Sequence, residues 1–273
     1  MTILLVRHGE TLWNRERRNQ GRFDSPLTER GIAQARAIGE LLRTLPEAAA
    51  APIVASPQGR ARHTAAIIRE QLVGVGALRC DDRLRELTLG AWDGLTYREI
   101  EAVSPGIFAG DGCHEWWFRA PDGESYGSFA ARLAEWLAEQ DEAAPVIAVA
   151  HGLVSRVLRG LHAGLEREAA LRLPVPQDRI FRLSGGRIEA LRAVRRVPDE
   201  PRLGKVRHDI RREQLVRLDV VAVVAVDQQL HAAIPVTADQ IDGLGDGANE
   251  AAQRPATGQS LAFRCHGGPV MGE

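Results

Sequence analysis

The 273-residue chain has few cysteines and no long apolar run, and each of these features argues against a class of protein. Its three cysteines, Cys80, Cys113 and Cys265, are odd in number and far apart, so they predict neither a disulfide framework nor a zinc pattern. No apolar run approaches the ~20 residues of a membrane-spanning helix. The apolar run near the start is too short for the core of a signal peptide. We therefore predict a cytoplasmic protein.

The chain also has no excess of positive charge. The formal net charge is −1 and Lys205 is the only lysine, so the composition gives no argument for binding nucleic acid or an acidic membrane surface. Hydrophobic residues make up 44% of the chain, an ordinary value for a globular protein. We therefore expect a small molecule as partner, with no nucleic acid and no membrane, and the composition leaves the oligomeric state open.

Three short apolar runs share one layout and predict strands that are covered on both faces. They occupy residues 3–6, 52–55 and 146–150. Each run ends in polar residues and is soon followed by a segment with helical periodicity. Strands that alternate with helices predict an α/β fold, here a three-layer α/β/α sandwich with a mostly parallel central sheet.

The segments between these runs predict where helices and a hairpin lie. Ser56 and Pro57 have the residue types of an N-cap and a first helical residue, so we expect a helix to begin there. Apolar residues at helical spacing predict two more helices, over residues 28–43 and 128–140. Residues 180–190 predict a closing β-hairpin.

The chain changes character near residue 195. All five tryptophans and both tyrosines lie before residue 137, and Phe263 is the only aromatic residue after Phe181. The later part is first crowded with charge and then rich in alanine and glycine. A segment with so few aromatic residues is a poor candidate for a core of its own. We predict one domain over residues 1–194, followed by a weakly structured extension over 195–273.

Chemically versatile side chains follow all three predicted strands. Arg7 and His8 follow the first, Arg60 lies in the helix after the second, and His151 and Gly152 follow the third. In open α/β sheets, ligands bind beyond the carboxyl ends of the strands, so these residues are expected to meet at one edge. Arginine is well shaped for bidentate contact with phosphate oxygens, and a helix N-terminus also favours an anion. The set predicts a phosphoryl site more readily than a carboxylate site.

Motifs in residues 1 to about 192 carry a family resemblance. In order, they are Leu4-Leu5-Val6-Arg7-His8-Gly9-Glu10-Thr11, Trp13-Asn14, Gln20-Gly21-Arg22-Phe23-Asp24-Ser25-Pro26-Leu27-Thr28, Ser56-Pro57-Gln58-Gly59-Arg60-Ala61-Arg62-His63-Thr64-Ala65, Leu84-Arg85-Glu86-Leu87, Gly90-Ala91-Trp92-Asp93-Gly94, Pro121-Asp122-Gly123-Glu124-Ser125 and Ala150-His151-Gly152. This ordered set strongly resembles the histidine phosphatase superfamily, in its phosphoglycerate-mutase-like branch. The segment after about residue 195 matches nothing associated with that family.

The resemblance implies a role for each matching residue. His8 matches the phosphorylated nucleophile and Glu86 matches the proton donor. The residues expected to surround the phosphate are Arg7, Arg60 and His151, and those expected to contact the substrate are Asn14, Gln20, Gly21 and Gly152. The implied chemistry uses no metal and no cofactor.

Other conspicuous residues are expected to be structural. The aromatic run at 116–118 is interpreted as a packed element near the mouth of the pocket. His63 follows Arg60 by three residues, and we expect it to point along its helix rather than into the site. Cys113-His114 and Cys265-His266 each lack a second pair of metal ligands, so no metal site is predicted.

The sequence favours hydrolysis of the phosphohistidine over return of its phosphate to the substrate. The stretch between Glu86 and His151 is shorter than in the mutases that this chain resembles, and Arg98, Arg119 and Arg132 are its only arginines. A more open pocket admits water, so we predict a phosphomonoesterase that acts on a small phosphorylated metabolite. A bisphosphoglycerate-dependent phosphoglycerate mutase is the alternative, and a non-catalytic module that binds phosphorylated ligands is a third interpretation.

Overall fold

The computed structural model describes residues 1–72, 74, 76–109, 113–141 and 144–193, so the predicted extension over 195–273 and Cys265-His266 lie outside the described residues. Within these ranges, no helix combines the length and the apolar composition that a bilayer span requires. In chain order the strands and helices are β1 (Thr2–Arg7), α1 (Leu12–Arg15), α2 (Glu29–Arg43), β2 (Ile53–Ala55), α3 (Gly59–Glu70), β3 (Leu78–Cys80), α4 (Tyr97–Val103), α5 (Tyr126–Ala138), β4 (Pro145–Ala150), α6 (Gly152–Ala163), α7 (Arg167–Arg172), β5 (Arg179–Ser184) and β6 (Arg187–Arg192).

The strands of the described ranges form one mixed sheet in the order β3-β2-β4-β1-β5-β6. β1 pairs in parallel with β4, from Thr2 opposite Pro145 to Arg7 opposite Ala150. β2 pairs in parallel with both β3 and β4. β5 runs antiparallel to β1, and β6 runs antiparallel to β5. The predicted mostly parallel sheet and its closing hairpin are therefore both confirmed.

Residues of the central strands alternate between two hydrophobic cores, one on each face of the sheet. Ile3 and Leu5 of β1 belong to the core that also contains buried residues of α5 and α6. Leu4 and Val6 belong to the core that contains buried residues of α2 and α3. Full burial of each such side chain stabilises the fold by roughly 1.5–3 kcal/mol. Helices thus cover both faces, and the predicted α/β/α sandwich is confirmed.

Hydroxyl side chains cap the two helices that were predicted from apolar periodicity. Thr28 accepts a hydrogen bond from the backbone N–H of Gly31 at the start of α2, as the predicted boundary implies. Ser125 accepts from the backbone N–H of Ser128, so α5 begins at Tyr126 rather than at residue 128. The prediction from periodicity missed that start because the first turn of α5 precedes its apolar stripe.

The predicted start of α3 at residues 56–57 is wrong. The helix begins at Gly59 with Gln58 as N-cap, and Gln58 makes no capping hydrogen bond with its own side chain. The backbone N–H groups of Gly59 and Arg60 instead donate to the carboxylate of Asp24, at 2.6 and 3.2 Å. A carboxylate from a distant loop therefore satisfies the first turn, and the positive end of this helix already faces an anion within the protein.

Candidate active site

A cavity of about 330 Å³ is lined by residues that follow β1 and β4 and by the first turn of α3. It brings together all the predicted site residues except His151, which is buried next to His8. The predicted residues that line it are Arg7, His8, Asn14, Gln20, Gly21, Arg60, Glu86 and Gly152. The expectation that the strand ends converge on one site thus agrees with the geometry.

His8 is held in one tautomer by its own backbone surroundings. Its Nδ1 lies 2.8 Å from the carbonyl oxygen of Gly9, and a carbonyl can only accept a hydrogen bond, so Nδ1 carries the proton. In the neutral ring the lone pair then resides on Nε2. The backbone N–H of His8 donates to the carbonyl of Ala150 at 3.0 Å, which extends the β1–β4 pairing to the site. The neutral ring in this tautomer has, on Nε2, the lone pair that a nucleophile requires.

The pKa of His8 lies well below its usual value of 6.5, so the ring is neutral at physiological pH. Burial is the largest cause, because it disfavours the charged imidazolium, and the positive charges of Arg60 and Arg7 act in the same direction. Burial also lowers the pKa of Arg7, to about 10, which leaves its guanidinium protonated at neutral pH. A neutral imidazole beside two cations is suited to attack an electrophilic phosphorus atom.

His151 is fully buried, and its ring centroid lies 5.2 Å from that of His8. Its Nε2 is joined to the hydroxyl of Ser56 by a hydrogen bond of 2.7 Å. Its Nδ1 is buried and has no hydrogen-bond partner among the described residues. Ser56 therefore forms a hydrogen bond with His151, the second predicted histidine, and is not the N-cap of α3.

Both predicted arginines keep one buried donor unpaired within the described part of the chain. Arg60 donates through Nη1 and Nη2 to Phe23, Asp24 and Gly21, and Arg7 donates through Nη1 to the carbonyl of Val175 at 2.5 Å. The Nε atoms of both arginines remain without partners. An unsatisfied buried donor is costly, so this arrangement favours an anion with several acceptor oxygens.

Two glycines in the matching motifs allow close approaches of the backbone. A Cβ on Gly9 would lie 2.3 Å from the carbonyl oxygen of Gly31 in α2, so the loop after His8 packs directly on that helix. Gly21 has a φ of +47°, and a Cβ there would collide with the carboxylate of Asp93. The Gly21 carbonyl accepts hydrogen bonds from Arg60 and from Gln58. Gly21 thus acts through its backbone, by anchoring the arginine.

The Glu86 carboxylate lies at the start of α6 and lines the cavity. It accepts hydrogen bonds from the backbone N–H groups of Leu153 and Val154, at 3.2 and 3.4 Å. Its own backbone N–H donates to the side-chain oxygen of Gln58 at 2.7 Å. A carboxyl group is thus fixed within the same cavity as His8, as its proposed role requires.

Asn14 and Gln20, which are predicted to contact the substrate, differ in how their side chains are held. Asn14 closes the capping box of α1 with Thr11, so its Oδ1 accepts the backbone N–H of Thr11 at 3.2 Å. Gln20 is buried, and its Oε1 has no partner among the described residues. Both side chains therefore retain polar atoms for a ligand.

Sequence reasoning missed part of the cavity wall. Arg156 and Tyr97 line it, and the guanidinium of Arg156 lies 5.2 Å from the ring centroid of Trp117, a member of the predicted aromatic run. No described carboxylate forms an ion pair with Arg156. A signal was present for Arg156, because it follows Gly152 by four residues and a helix brings such positions to one face. No comparable local signal marks Tyr97.

The aromatic run at 116–118 and His63 lie where they were predicted. Trp116 is buried against Trp92, and its neighbour Trp117 reaches the cavity, which agrees with a packed element near the mouth. His63 is exposed and does not line this cavity. Within the described ranges, no group of three or more histidine, cysteine or acidic residues is arranged to hold a metal ion.

Comparison with protein families and curated proteins gives consistent matches. Residues 3–190 match the model of the histidine phosphatase superfamily (branch 1). A protein named probable phosphoglycerate mutase GpmB from Citrobacter koseri is 42% identical over 191 residues, which are 63% of this chain and 81% of the relative. Its counterpart from an Enterobacter species is 40% identical over 194 residues, with the same coverage of both chains.

Solved structures with similar folds include phosphatases. Bacillus stearothermophilus YhfR is 33% identical, with a TM-score of 0.58 over 69% of this chain and 94% of that one. A mycobacterial glucosyl-3-phosphoglycerate phosphatase, solved in complex with VO3, is also 33% identical, with a TM-score of 0.55 over 67% and 90% of the two chains. An Escherichia coli protein described as a putative α-ribazole-5′-phosphate phosphatase is 25% identical, with a TM-score of 0.58 over 67% and 89%.

Proposed function

Because this chain belongs to the histidine phosphatase superfamily, we propose that it hydrolyses the monophosphate ester of a small metabolite through a phosphohistidine on His8. The observation that carries the proposal is the state of His8: a neutral ring with Nδ1 tied to Gly9 and Nε2 available. The Nε donors of Arg7 and Arg60, unpaired among the described residues, belong to side chains that line the same cavity as His8, and they suit a phosphoryl group.

In the first step, Nε2 of His8 attacks the phosphorus atom and the bond from phosphorus to the ester oxygen breaks. An alkoxide is a poor leaving group, so Glu86 in its protonated form donates a proton to that oxygen as the bond breaks. Arg7 and Arg60 stabilise the negative charge that spreads over the transferring oxygens. The product alcohol leaves, and His8 holds the phosphoryl group.

In the second step, water attacks the phosphohistidine and the P–N bond breaks. The Glu86 carboxylate, ionised by the first step, takes a proton from the attacking water. Inorganic phosphate leaves and His8 returns to its neutral tautomer, with Nδ1 still bound to Gly9. The cycle uses only groups of the protein and water, so we propose that it needs no metal ion.

Two observations favour water over a second substrate oxygen as the acceptor. The arginines of the stretch between the proposed acid and the second histidine, Arg98, Arg119 and Arg132, are absent from the cavity lining. Arg132 instead pairs with Glu124. The arginines of this stretch therefore do not line the cavity and do not retain a bound intermediate there. The mutase remains the second candidate, because relatives about 40% identical bear that name.

The test is to incubate the purified protein with p-nitrophenyl phosphate in the presence of a chelator, from mildly acidic to neutral pH. We expect release of inorganic phosphate, and we expect His8→Ala to abolish both turnover and acid-labile labelling of the protein by phosphate. His63→Ala is the matched control, because His63 is exposed and lies outside the cavity. Turnover by the His8→Ala variant at the wild-type rate contradicts the proposal.

The same preparation separates the alternatives. Conversion of 3-phosphoglycerate to 2-phosphoglycerate, stimulated by the bisphosphate, identifies a mutase. Phosphate binding without turnover or labelling identifies a non-catalytic binding module. A panel of phosphorylated metabolites then ranks substrates, and we expect the preferred one to be small enough for a cavity of about 330 Å³.

A further inference from the structure

The segment between α7 and β5 lies beside the cavity and is held there by three arginines. Three successive backbone carbonyls, those of Leu173, Pro174 and Val175, accept hydrogen bonds from Arg156, Arg159 and Arg7 respectively. The distances are 2.7, 2.7 and 2.5 Å. Proline has no backbone N–H, so Pro174 and Pro176 can only accept through their main chain. The segment thus presents acceptors to a cluster of cations.

One of these arginines is buried without a carboxylate partner among the described residues. Arg159 is 1% exposed, and burial lowers its pKa to about 10, so it stays protonated at neutral pH. Its contacts are the carbonyls of Pro174 and Ser155 and the face of Phe181, whose centroid lies 4.0 Å from Cζ. Burying a charge is expensive unless hydrogen bonds satisfy it, so Arg159 resists displacement of the segment.

Gln177 lies near the end of this segment, and its side chain reaches the backbone of the proposed nucleophile. Nε2 of Gln177 donates to the backbone carbonyl of His8 and to Oδ1 of Asn14, both at 3.1 Å. A primary amide has two N–H groups, so one Gln177 side chain can satisfy both acceptors at once. Neither the motifs nor the family resemblance singled out this residue.

These bonds fix the orientation of the Asn14 amide. Its Oδ1 accepts from Gln177 and from the backbone N–H of Thr11, so that atom must be oxygen and the other must be the NH2 group. Nδ2 makes no hydrogen bond to any described residue, and Asn14 lines the cavity. Gln177 therefore directs the donor end of Asn14 toward the ligand, and at the same time it holds the main chain of His8.

We propose that Gln177 is a positioning residue: its amide orients Asn14 and the backbone of His8 for phosphoryl transfer, and the arginine-bound segment keeps it in place. This inference rests on the proposed function only for its kinetic readout. Binding of inorganic phosphate tests the orientation of Asn14 without any turnover.

The first experiment compares Gln177→Ala with the wild type in turnover of p-nitrophenyl phosphate and in calorimetric affinity for inorganic phosphate. Small misplacements of reacting groups cost up to about 100-fold, so we expect kcat to fall about 10- to 100-fold and phosphate binding to weaken. Gln140→Ala is the matched control, because Gln140 also donates to one backbone carbonyl but lies at the end of α5, outside the cavity.

A double-mutant cycle with Asn14→Ala distinguishes positioning from a general loss of stability. If Gln177 acts partly through Asn14, the double variant loses less activity than the product of the two single losses. Gln177→Glu adds a pH signature. At neutral pH the glutamate carboxylate can only accept hydrogen bonds, yet it faces two acceptor oxygens. The protonated carboxyl group can again donate a hydrogen bond. We expect a larger loss than for Gln177→Ala at neutral pH, partly recovered on acidification.

Three results overturn the inference while leaving the proposed function intact. They are wild-type kcat and phosphate affinity in Gln177→Ala, strictly multiplicative losses in the cycle, and a lowered melting temperature with unchanged kcat per folded molecule. If the wild type itself neither hydrolyses the ester nor labels on His8, the proposed function fails instead. Weakened phosphate binding in Gln177→Ala then still supports the positioning role.

Discussion

Asp24 holds both the main chain and the side chain of Arg60. Its Oδ1 accepts from the backbone N–H of Arg60 at 3.2 Å and from Nη1 at 2.9 Å. Its Oδ2 accepts from the backbone N–H of Gly59 at 2.6 Å. One carboxylate therefore starts α3 and also orients an arginine of the cavity. Nε is the donor of Arg60 that stays unpaired among the described residues.

Replacing Asp24 should damage stability and activity together. Loss of an N-cap costs about 0.5–2 kcal/mol, so we expect Asp24→Ala to lower the free energy of unfolding by about that amount. We also expect kcat/KM to fall, because Arg60 loses its orienting partner. Urea unfolding and steady-state kinetics measure the two effects. Asp24→Asn is the matched variant: asparagine is a good cap, so it should retain more of the stability. Equal stability for Asp24→Ala and the wild type contradicts the assignment of Asp24 as cap.

Glu86→Gln should distinguish substrates by their leaving groups. The amide keeps an oxygen that can accept from the start of α6, but it cannot donate the proton that an alkoxide needs. We expect kcat for an alkyl phosphate to fall about 10²- to 10⁴-fold, and kcat for p-nitrophenyl phosphate to fall much less, because p-nitrophenolate leaves without a proton. Steady-state assays on both esters provide the comparison, and equal losses on the two argue against Glu86 as the acid.

The pKa of His8 should respond to the charge of Arg60. Burial and the two arginines hold that pKa well below 6.5, and Arg60 contributes the larger share of the two charges. Replacement by neutral glutamine removes one cause, so the pKa of His8 should rise toward 6.5 in Arg60→Gln. NMR titration of the imidazole measures the change without need for turnover. An unchanged or lower pKa in the variant is inconsistent with the described geometry.

The two buried histidines should make the fold sensitive to acid. Burial is the main cause that lowers the pKa of both His8 and His151, so the unfolded chain binds protons more readily than the folded one below about pH 6.5. The free energy of unfolding should therefore rise with pH up to about 6.5, and decline as the pH falls below it. Denaturant unfolding at several pH values measures this slope.

His8→Asn serves as the test variant for that slope and His63→Asn as its control, since His63 is exposed. The slope should flatten in the first variant and persist in the second. Identical slopes in the two variants mean that another group governs the acid response.

Arg156→Ala should change the preference among substrates, in addition to the general loss expected because Arg156 also holds the carbonyl of Leu173. Arg156 lines the cavity without an ion pair to any described carboxylate, and its guanidinium lies over the ring of Trp117. We expect kcat/KM to fall more for phosphate esters that carry a second anionic group than for p-nitrophenyl phosphate. Arg98→Ala is the control, because Arg98 is exposed and outside the cavity. If the ratio of kcat/KM for the two kinds of ester equals the wild-type ratio, Arg156 does not contribute to substrate preference.

Short-range patterns predicted the frame of the molecule because they depend on local physics. The buried run of β1 and the arrival of His8 at its end follow from apolar residues and strand periodicity alone. The ordered motifs then linked Arg60, Glu86 and His151 to that histidine. Neither the local patterns nor the motifs revealed which residue caps α3, because Asp24 lies far from Gly59 in the chain.

The missed residues share one property: they reach the site through tertiary packing rather than through a strand end. Gln177 follows a segment with two prolines and no helical or strand pattern, so nothing nearby points to His8. Tyr97 opens α4 and reaches the cavity because the preceding loop turns back toward Asn19 and Arg18. Such placements depend on which elements pack together, and local patterns in a single sequence do not specify that packing.

The position of β1 in the sheet has a consequence for how the protein is made. Thr2–Arg7 is synthesised well before its two neighbours, β4 and β5, which lie near the far end of the described residues. Backbone pairing on both sides of β1 must therefore wait until residue 184 has left the ribosome, and contacts of such long sequence separation form slowly. A ribosome-stalled chain that ends before Arg179 should expose β1 to limited proteolysis, whereas one that extends well past Arg192 should protect it. The proposed nucleophile is thus made long before the strands that complete its surroundings.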